Sequence, residues 1–142
     1  AGLSLPSSAA FGRSLCSLGD LDSDGHNELA VGATGVNSFK GGVYILFHKG
    51  LAVNKTTLLS HNVGNFGPVG NGDRLGGAVA ALGDLDGDGV PDLAAGAHND
   101  GAGCVYIIFL NRFGTVKSKT KIDRNTAGLD VLANDARFGY SI

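Results

Sequence analysis

The apolar residues of this chain fall into short runs separated by clusters of Gly, Asn and Asp. The runs are rich in β-branched and aromatic residues, and no run keeps a helical period over ten or more positions. Short apolar segments bounded by turn residues are typical of β-strands. We therefore expect an all-β fold with strands near residues 11–18, 28–32, 42–47, 55–59, 75–82, 92–96, 104–110 and 116–122.

The same order of motifs occurs twice, about sixty-four residues apart. Twelve residues between Gly12 and Ala33 recur between Gly76 and Ala97, and the pattern Gly-x-Val-Tyr-Ile-x-Phe at 41–47 returns at 103–109 after a connection two residues shorter. A third copy begins at residue 138, and residues 127–129 echo residues 1–3. The repeat boundaries are therefore placed at about 11–74, 75–137 and 138–142, with residues 1–10 as a lead-in.

Each repeat contains four predicted antiparallel strands, which is the composition of one blade of a β-propeller. The chain then encodes two complete blades and the start of a third.

The longest apolar runs of the chain, 43–47 and 105–110, are much shorter than a membrane-spanning helix requires, so membrane insertion is not expected. The mean hydropathy of +0.12 is too high for a disordered chain.

Acidic residues are concentrated in two nine-residue windows, although the net charge of the whole chain is only −2. Residues 20–28 read Asp-Leu-Asp-Ser-Asp-Gly-His-Asn-Glu, and residues 84–92 read Asp-Leu-Asp-Gly-Asp-Gly-Val-Pro-Asp. The windows hold eight of the 13 acids, so the rest of the chain has five acids against 11 Lys and Arg, a balance of +6. Four carboxylates within nine residues repel one another unless a cation neutralises them.

The acids stand at positions 1, 3, 5 and 9 of each window, with glycine at position 6 for a sharp turn. Calcium takes six to eight oxygen ligands, and a backbone carbonyl at position 7 adds one more. The sequence thus predicts two calcium ions per chain. The predicted ligands are Asp20, Asp22, Asp24, the His26 carbonyl and Glu28 in the first window, and Asp84, Asp86, Asp88, the Val90 carbonyl and Asp92 in the second.

Two other interpretations of these windows are weaker. An EF-hand requires glutamate at position 12, where this chain has Val31 and Ala95 inside apolar strands. Ordinary Asp- and Gly-rich turns are common between strands, but two copies in the same repeat register favour a metal site. Magnesium is a poorer match than calcium because it rarely takes an all-protein cage.

These motifs resemble a known repeat. Phe11-Gly12, the loop at 20–28 and Gly32-Ala33 together are similar to the FG-GAP repeat of the integrin α-subunit β-propeller and of bacterial surface proteins. The second copy has Leu75 in place of the phenylalanine, and the third keeps Phe138-Gly139. The resemblance implies that each repeat is one blade, with structural calcium in the hairpin between its first two strands.

No catalytic or nucleotide-binding motif is found elsewhere in the sequence. The four histidines are not at metal-ligand spacing, no nucleophile elbow occurs, and the glycine-rich stretch 70–76 lacks the Gly-Lys-Ser/Thr of a phosphate loop. Cys16 and Cys104 occupy different strand positions, which favours two small buried thiols over a disulfide. We therefore expect a non-enzyme.

Lys117, Lys119 and Lys121 alternate along the last predicted strand, so their side chains share one face. The first interpretation is protection of a sheet edge, and the second is an acidic protein or anionic glycan partner. Nucleic-acid binding is not expected, because no aromatic residues are interleaved with the lysines.

The expected function is a calcium-binding propeller that acts as a scaffold or recognition module, for protein or glycan interaction or adhesion, in an extracellular or cell-surface setting. The alternative is a non-catalytic propeller module of a carbohydrate- or lipid-active enzyme. Two blades alone would expose apolar flanking faces. We therefore expect either a homo-oligomeric ring of three or four chains or the remainder of a longer propeller.

Overall fold

A computed structural model describes residues 3–142 of the chain, so the repeat echo at residues 1 and 2 lies outside the described residues. Across this range no helix has the length and apolar character needed to cross a membrane. The elements are β1 (Phe11–Gly19), β2 (Glu28–Ala33), a four-residue helical segment α1 (Val36–Phe39), β3 (Gly42–Lys49), β4 (Ala52–Ser60), β5 (Val79–Gly83), β6 (Asp92–Ala97), β7 (Cys104–Leu110) and β8 (Val116–Ile122). The prediction of an all-β fold with four strands in each repeat is confirmed.

The strands form two antiparallel sheets, each with its strands in chain order: β1-β2-β3-β4 and β5-β6-β7-β8. The pairing register repeats as well, since Leu29 lies opposite Leu46 in the first sheet and Leu93 opposite Ile108 in the second. Each sheet is thus one four-stranded blade of a propeller. We call them blade 1 and blade 2.

The main hydrophobic core lies between the two blades. Successive side chains of a strand point to opposite faces, so one face of blade 1 meets one face of blade 2. Blade 1 contributes Val43, Ile45 and Leu59, and blade 2 contributes Leu93 and Ile108, all of them fully buried. Burying each such side chain stabilises the fold by roughly 1.5–3 kcal/mol.

The other face of blade 1 carries a second, smaller cluster. Val31, Tyr44 and Leu46 are buried there, and Ala9 and Leu5 from the lead-in segment pack against them. The lead-in residues therefore cover part of a face that would otherwise be open to water.

Strand β5 begins at Val79, four residues later than the sequence predicts, because the start of the second repeat is bonded to blade 1. The Leu75 amide donates to the Lys40 carbonyl at 2.9 Å, and Leu75 forms a parallel bridge with Gly41. Gly76 lies directly on Gly32, where an added Cβ would come within 2.0 Å of the Gly76 oxygen. We call this contact between the start of one repeat and the preceding blade a blade joint.

A second blade joint connects the third repeat to blade 2. The Phe138 amide donates to the Ala102 carbonyl at 2.9 Å, and Phe138 forms a parallel bridge with Gly103. A Cβ on Gly96 would lie 1.9 Å from the Gly139 oxygen. The short third copy thus packs on blade 2 in the same way as the second copy packs on blade 1.

The segment α1 is a left-handed turn that the sequence does not predict. Asn37, Ser38 and Phe39 all have positive φ values, of 51°, 57° and 62°. Left-handed backbone costs roughly 1–2 kcal/mol for each non-glycine residue, so three in succession are uncommon. The Asn37 side chain donates to Ser60 Oγ at 2.8 Å and helps to hold the turn.

Candidate metal centres

Both acidic windows form the hairpin loops between the first two strands of their blades. The first loop joins β1 to β2, and the second joins β5 to β6. Gly19 pairs with Glu28 at the base of the first loop, and Gly83 pairs with Asp92 at the base of the second. The last acid of each window is therefore fixed at the start of a strand.

The first loop brings together Asp20, Asp22 and Glu28, whose carboxylates each offer an oxygen within 4.8 Å of the others. Glu28 is only 1% exposed and accepts a hydrogen bond of 2.6 Å from the Leu21 amide. Asp20 accepts from two further amides of the loop, at 3.0 Å each. One of those amides belongs to Gly25, whose φ of 90° explains the glycine at position 6.

The second loop repeats this arrangement with Asp84, Asp86 and Asp92, whose oxygens also lie within 4.8 Å of one another. Asp92 is fully buried and accepts from the amides of Leu85 at 2.9 Å and Leu110 at 3.1 Å. Asp84 accepts hydrogen bonds from three loop amides, and Asp20, at the same position of the first loop, accepts from two. The two loops therefore share one hydrogen-bond plan as well as one sequence pattern.

The acids at position 5 are not part of these three-carboxylate groups. Asp24 accepts from the His26 amide at 2.9 Å and pairs with Lys49 at 3.3 Å. Asp88 accepts from the Val90 amide at 2.9 Å and pairs with Lys117, which also contacts Asp86 at 2.5 Å. The hydrogen bond from Lys117, with that of the Val90 amide, holds the pKa of Asp88 below its ordinary value.

Burial makes the charged form of the last acid in each window costly. Desolvation raises the pKa of Glu28, and the neighbouring carboxylates Asp22, Asp24 and Asp20 raise it further against the opposing Leu21 amide. Desolvation likewise raises the pKa of Asp92. A buried carboxylate that faces two others is stabilised by a bound divalent cation, and hard oxygen donors suit such a cation. Both clusters therefore fit a divalent metal ion.

The lysine contacts were not foreseen from the sequence. Lys49 and Lys117 reach the loops from β3 and β8, elements far away along the chain, and a strand pattern alone does not reveal such pairs. The other two lysines of β8 also have partners within the chain: Lys119 donates to the Phe66 carbonyl, and Lys121 pairs with Asp100 at 2.5 Å. All three ammonium groups of this strand are thus engaged.

Within residues 3–142, three or more ligand-type side chains come together only in the two acidic clusters. Cysteine and histidine form no further metal centre in that range. Cys16 and Cys104 are free thiols, but only Cys104 is buried; Cys16 is partly exposed, unlike the expectation of two buried thiols. Burial raises the pKa of the Cys104 thiol to about 12, which disfavours the reactive thiolate form.

Comparison with known proteins agrees with the motifs and the blades. A family model described as FG-GAP repeat matches residues 11–46 and 76–108. Integrin alpha-7 of Homo sapiens is 33% identical over 142 residues, which cover 94% of this chain and 11% of that protein. Integrin alpha pat-2 of Caenorhabditis briggsae is 36% identical over 98 residues, covering 68% of this chain and 8% of the relative.

A relative of another kind is the phosphatidylinositol-glycan-specific phospholipase D of Homo sapiens, 36% identical over 118 residues, which cover 72% of this chain and 14% of that protein. The chain therefore spans roughly a tenth of the length of the curated relatives it matches. The repeated motifs, the two four-stranded blades and these similarities show that the chain belongs to the integrin-like FG-GAP repeat family.

Proposed function

We propose that the chain is a calcium-binding propeller module that acts by scaffolding or recognition rather than by catalysis. The observation that carries this proposal is the duplicated loop, in which a buried acid converges with two aspartates at the same place in each blade. A cation bound in each loop would hold the two strands of that hairpin together, β1 with β2 and β5 with β6. The metal thus has a structural role, and its ligands are unavailable as acid or base.

Calcium is the proposed ion, with Asp20, Asp22, Asp24, the His26 carbonyl and Glu28 as ligands of the first site. Asp84, Asp86, Asp88, the Val90 carbonyl and Asp92 form the second. Calcium tolerates irregular cages of protein oxygens, whereas magnesium requires near-ideal octahedral geometry and retains several waters. Free calcium is high outside the cytosol, so we place the module in an extracellular or cell-surface setting.

Titration calorimetry on the purified chain is expected to show about two calcium sites. Replacing Glu28 with Gln removes one charged oxygen from the first loop, so it should abolish or strongly weaken one site and leave the other unchanged. Asp130→Asn, an exposed acid outside both loops, is the matched control. Absence of binding at millimolar calcium would show that the loops are ordinary turns.

Lys117 is expected to compete with the metal in the second loop, because its ammonium group contacts Asp86 and Asp88. Replacing Lys117 with Gln should raise the calcium affinity of that loop by about two- to fivefold, the size of effect typical of an exposed ion pair. Lys119→Gln is the control, since Lys119 contacts a backbone carbonyl and no loop acid. An unchanged or lower affinity for Lys117→Gln would contradict this role.

A neighbouring blade is proposed on the open face of blade 1. Phe11 is 38% exposed, whereas Leu75 at the same repeat position is completely buried in a blade joint. Another FG-GAP blade, supplied either by the same polypeptide or by further copies in a ring of three or four chains, would cover Phe11 and Gly12.

Light scattering distinguishes these two sources of the neighbouring blade. A ring has three or four times the 14.3 kDa mass of one chain, and a stable monomer excludes the ring.

The recognised partner is proposed to be a protein or an anionic glycan, as in adhesion. A second candidate function is a non-catalytic propeller module of a lipid-active enzyme, which is favoured by the similarity to phosphatidylinositol-glycan-specific phospholipase D. The two candidates differ in their surroundings within the gene. An adjoining catalytic domain would favour the second, and its absence from the full gene would favour the first.

A further inference from the structure

Arg13, Arg74 and Arg137 lie at the end of the blades opposite the metal loops, near enough to the buried His98 for their charges to lower its pKa. Arg13 is the third residue of β1, and the acidic loop follows the end of that strand, six residues further on and so roughly 20 Å away. Arg74 and Arg137 lie just before the two blade joints. With His98 and Tyr140 these residues form what we call the arginine cluster.

The repeat itself places two of these arginines. Arg74 and Arg137 occupy equivalent positions, each with a positive φ, of 60° and 52°. Their carbonyls accept equivalent hydrogen bonds, from the Gly77 amide at 3.2 Å and the Tyr140 amide at 3.0 Å. Because the second and third repeats place an arginine at the same point of the joint, where the first repeat has Ala10, these two positive charges lie at one end of the module.

Tyr140 connects Arg13 to His98. Arg13 Nη2 donates to the Tyr140 hydroxyl at 3.2 Å, and its guanidinium lies 5.6 Å from the centre of the Tyr140 ring. The His98 ring meets the same tyrosine edge to face, with centroids 5.0 Å apart. Tyr140 is half exposed, so this assembly borders the solvent.

The cluster lacks a counter-ion among residues 3–142, where every ion pair involves a lysine. His98 is only 5% exposed, and its buried Nδ1 has no hydrogen-bond partner in that range. Burial lowers the pKa of His98, and the charges of Arg74, Arg13 and Arg137 lower it further. Three guanidinium groups that pair with no carboxylate, next to this buried imidazole, favour an anionic ligand.

We propose that the arginine cluster binds a tetrahedral oxyanion, the phosphate or sulfate group of a free ion or of a larger ligand. Guanidinium groups are planar forks that donate two parallel hydrogen bonds to such an anion. Three of them match the charge of a divalent oxyanion better than the charge of a single carboxylate. The site is separate from the proposed calcium function, and neither depends on the other.

The test is a titration of the whole chain with inorganic phosphate, inorganic sulfate, a sulfated disaccharide and acetate, at fixed ionic strength and pH 7. Phosphate is used in calcium-free buffer, because calcium phosphate precipitates, and sulfate is used with and without calcium. We expect saturable binding of phosphate or sulfate that shifts the NMR signals of the His98 ring. Tighter binding of the disaccharide than of free sulfate would identify a sulfated glycan as the source, and equal affinity would identify the free anion.

Variants place the binding at the cluster. Arg13→Gln, Arg74→Gln and Arg137→Gln should each weaken the affinity by at least about tenfold, the loss expected for one charge-assisted hydrogen bond. Arg137→Lys, which keeps the charge but not the fork, should give a smaller loss. Arg112→Gln, with the same charge change in the β7–β8 turn, should leave the affinity unchanged. Absent saturable binding, equal loss in Arg112→Gln, or acetate bound as tightly as sulfate would overturn the proposal.

Discussion

Replacing Gly96 with alanine is expected to destabilise the chain by about 3 kcal/mol, because the new methyl group would lie 1.9 Å from the Gly139 carbonyl oxygen. A backbone carbonyl inside a blade joint has no free space into which it can move. Gly32→Ala should have a similar effect at the other joint, where the nearest atom is the Gly76 oxygen at 2.0 Å. Chemical denaturation, read as the free energy of unfolding, measures both losses.

The control for these variants is Gly70→Ala. Its added methyl group would meet the carboxylate of the half-buried Asp73, a side chain that can shift, instead of backbone. That carboxylate accepts a hydrogen bond from the Gly70 amide, so a loss of about 1 kcal/mol is expected there. If Gly96→Ala and Gly32→Ala cost no more than Gly70→Ala, the close approach of glycines does not hold neighbouring blades together.

These glycines also show why so much of the fold is predictable from the sequence. A spacing of sixty-four residues relates Gly32 to Gly96 and Gly12 to Gly76, so a single pattern defines both blades. Within each blade the apolar strands are short and bounded by turn residues, which is sufficient to predict four strands. The convergence of three acids in each loop follows from their alternate spacing and from the residue pair that closes the base of each hairpin, Gly19 with Glu28 and Gly83 with Asp92.

What the sequence does not reveal depends on contacts between elements. The start of the second repeat has a strand-like composition, yet Leu75 bonds to the preceding blade and β5 begins only at Val79. The left-handed turn at Asn37 is stabilised by Ser60, which belongs to another strand. Likewise, Lys117 reaches the second acidic loop from β8. Such pairs become visible only when the blades are assembled.

Removing calcium is expected to lower the melting temperature strongly, because the proposed metal would hold the two strands of each hairpin together. A ligand that binds only the native state stabilises it by RT ln(1 + [L]/Kd), which is about 2.7 kcal/mol per site at a hundredfold excess over Kd. Two sites of this strength correspond to a fall of roughly 10–20 °C for a chain of this size. Thermal unfolding in calcium and then in excess chelator measures the change.

The double variant Asp84→Asn/Asp88→Asn separates a metal effect from a general effect of the chelator. It weakens only the second loop, so it should lose about half of the calcium-dependent rise in melting temperature and respond less to chelation. Asp130→Asn/Asp135→Asn changes the charge by the same amount at exposed positions outside both loops and should behave as the original chain. If the chain melts at the same temperature with and without calcium, and the loop variant does too, the acids hold the turns through backbone amides alone. The many amide contacts of Asp20 and Asp84 supply the physical basis for that outcome.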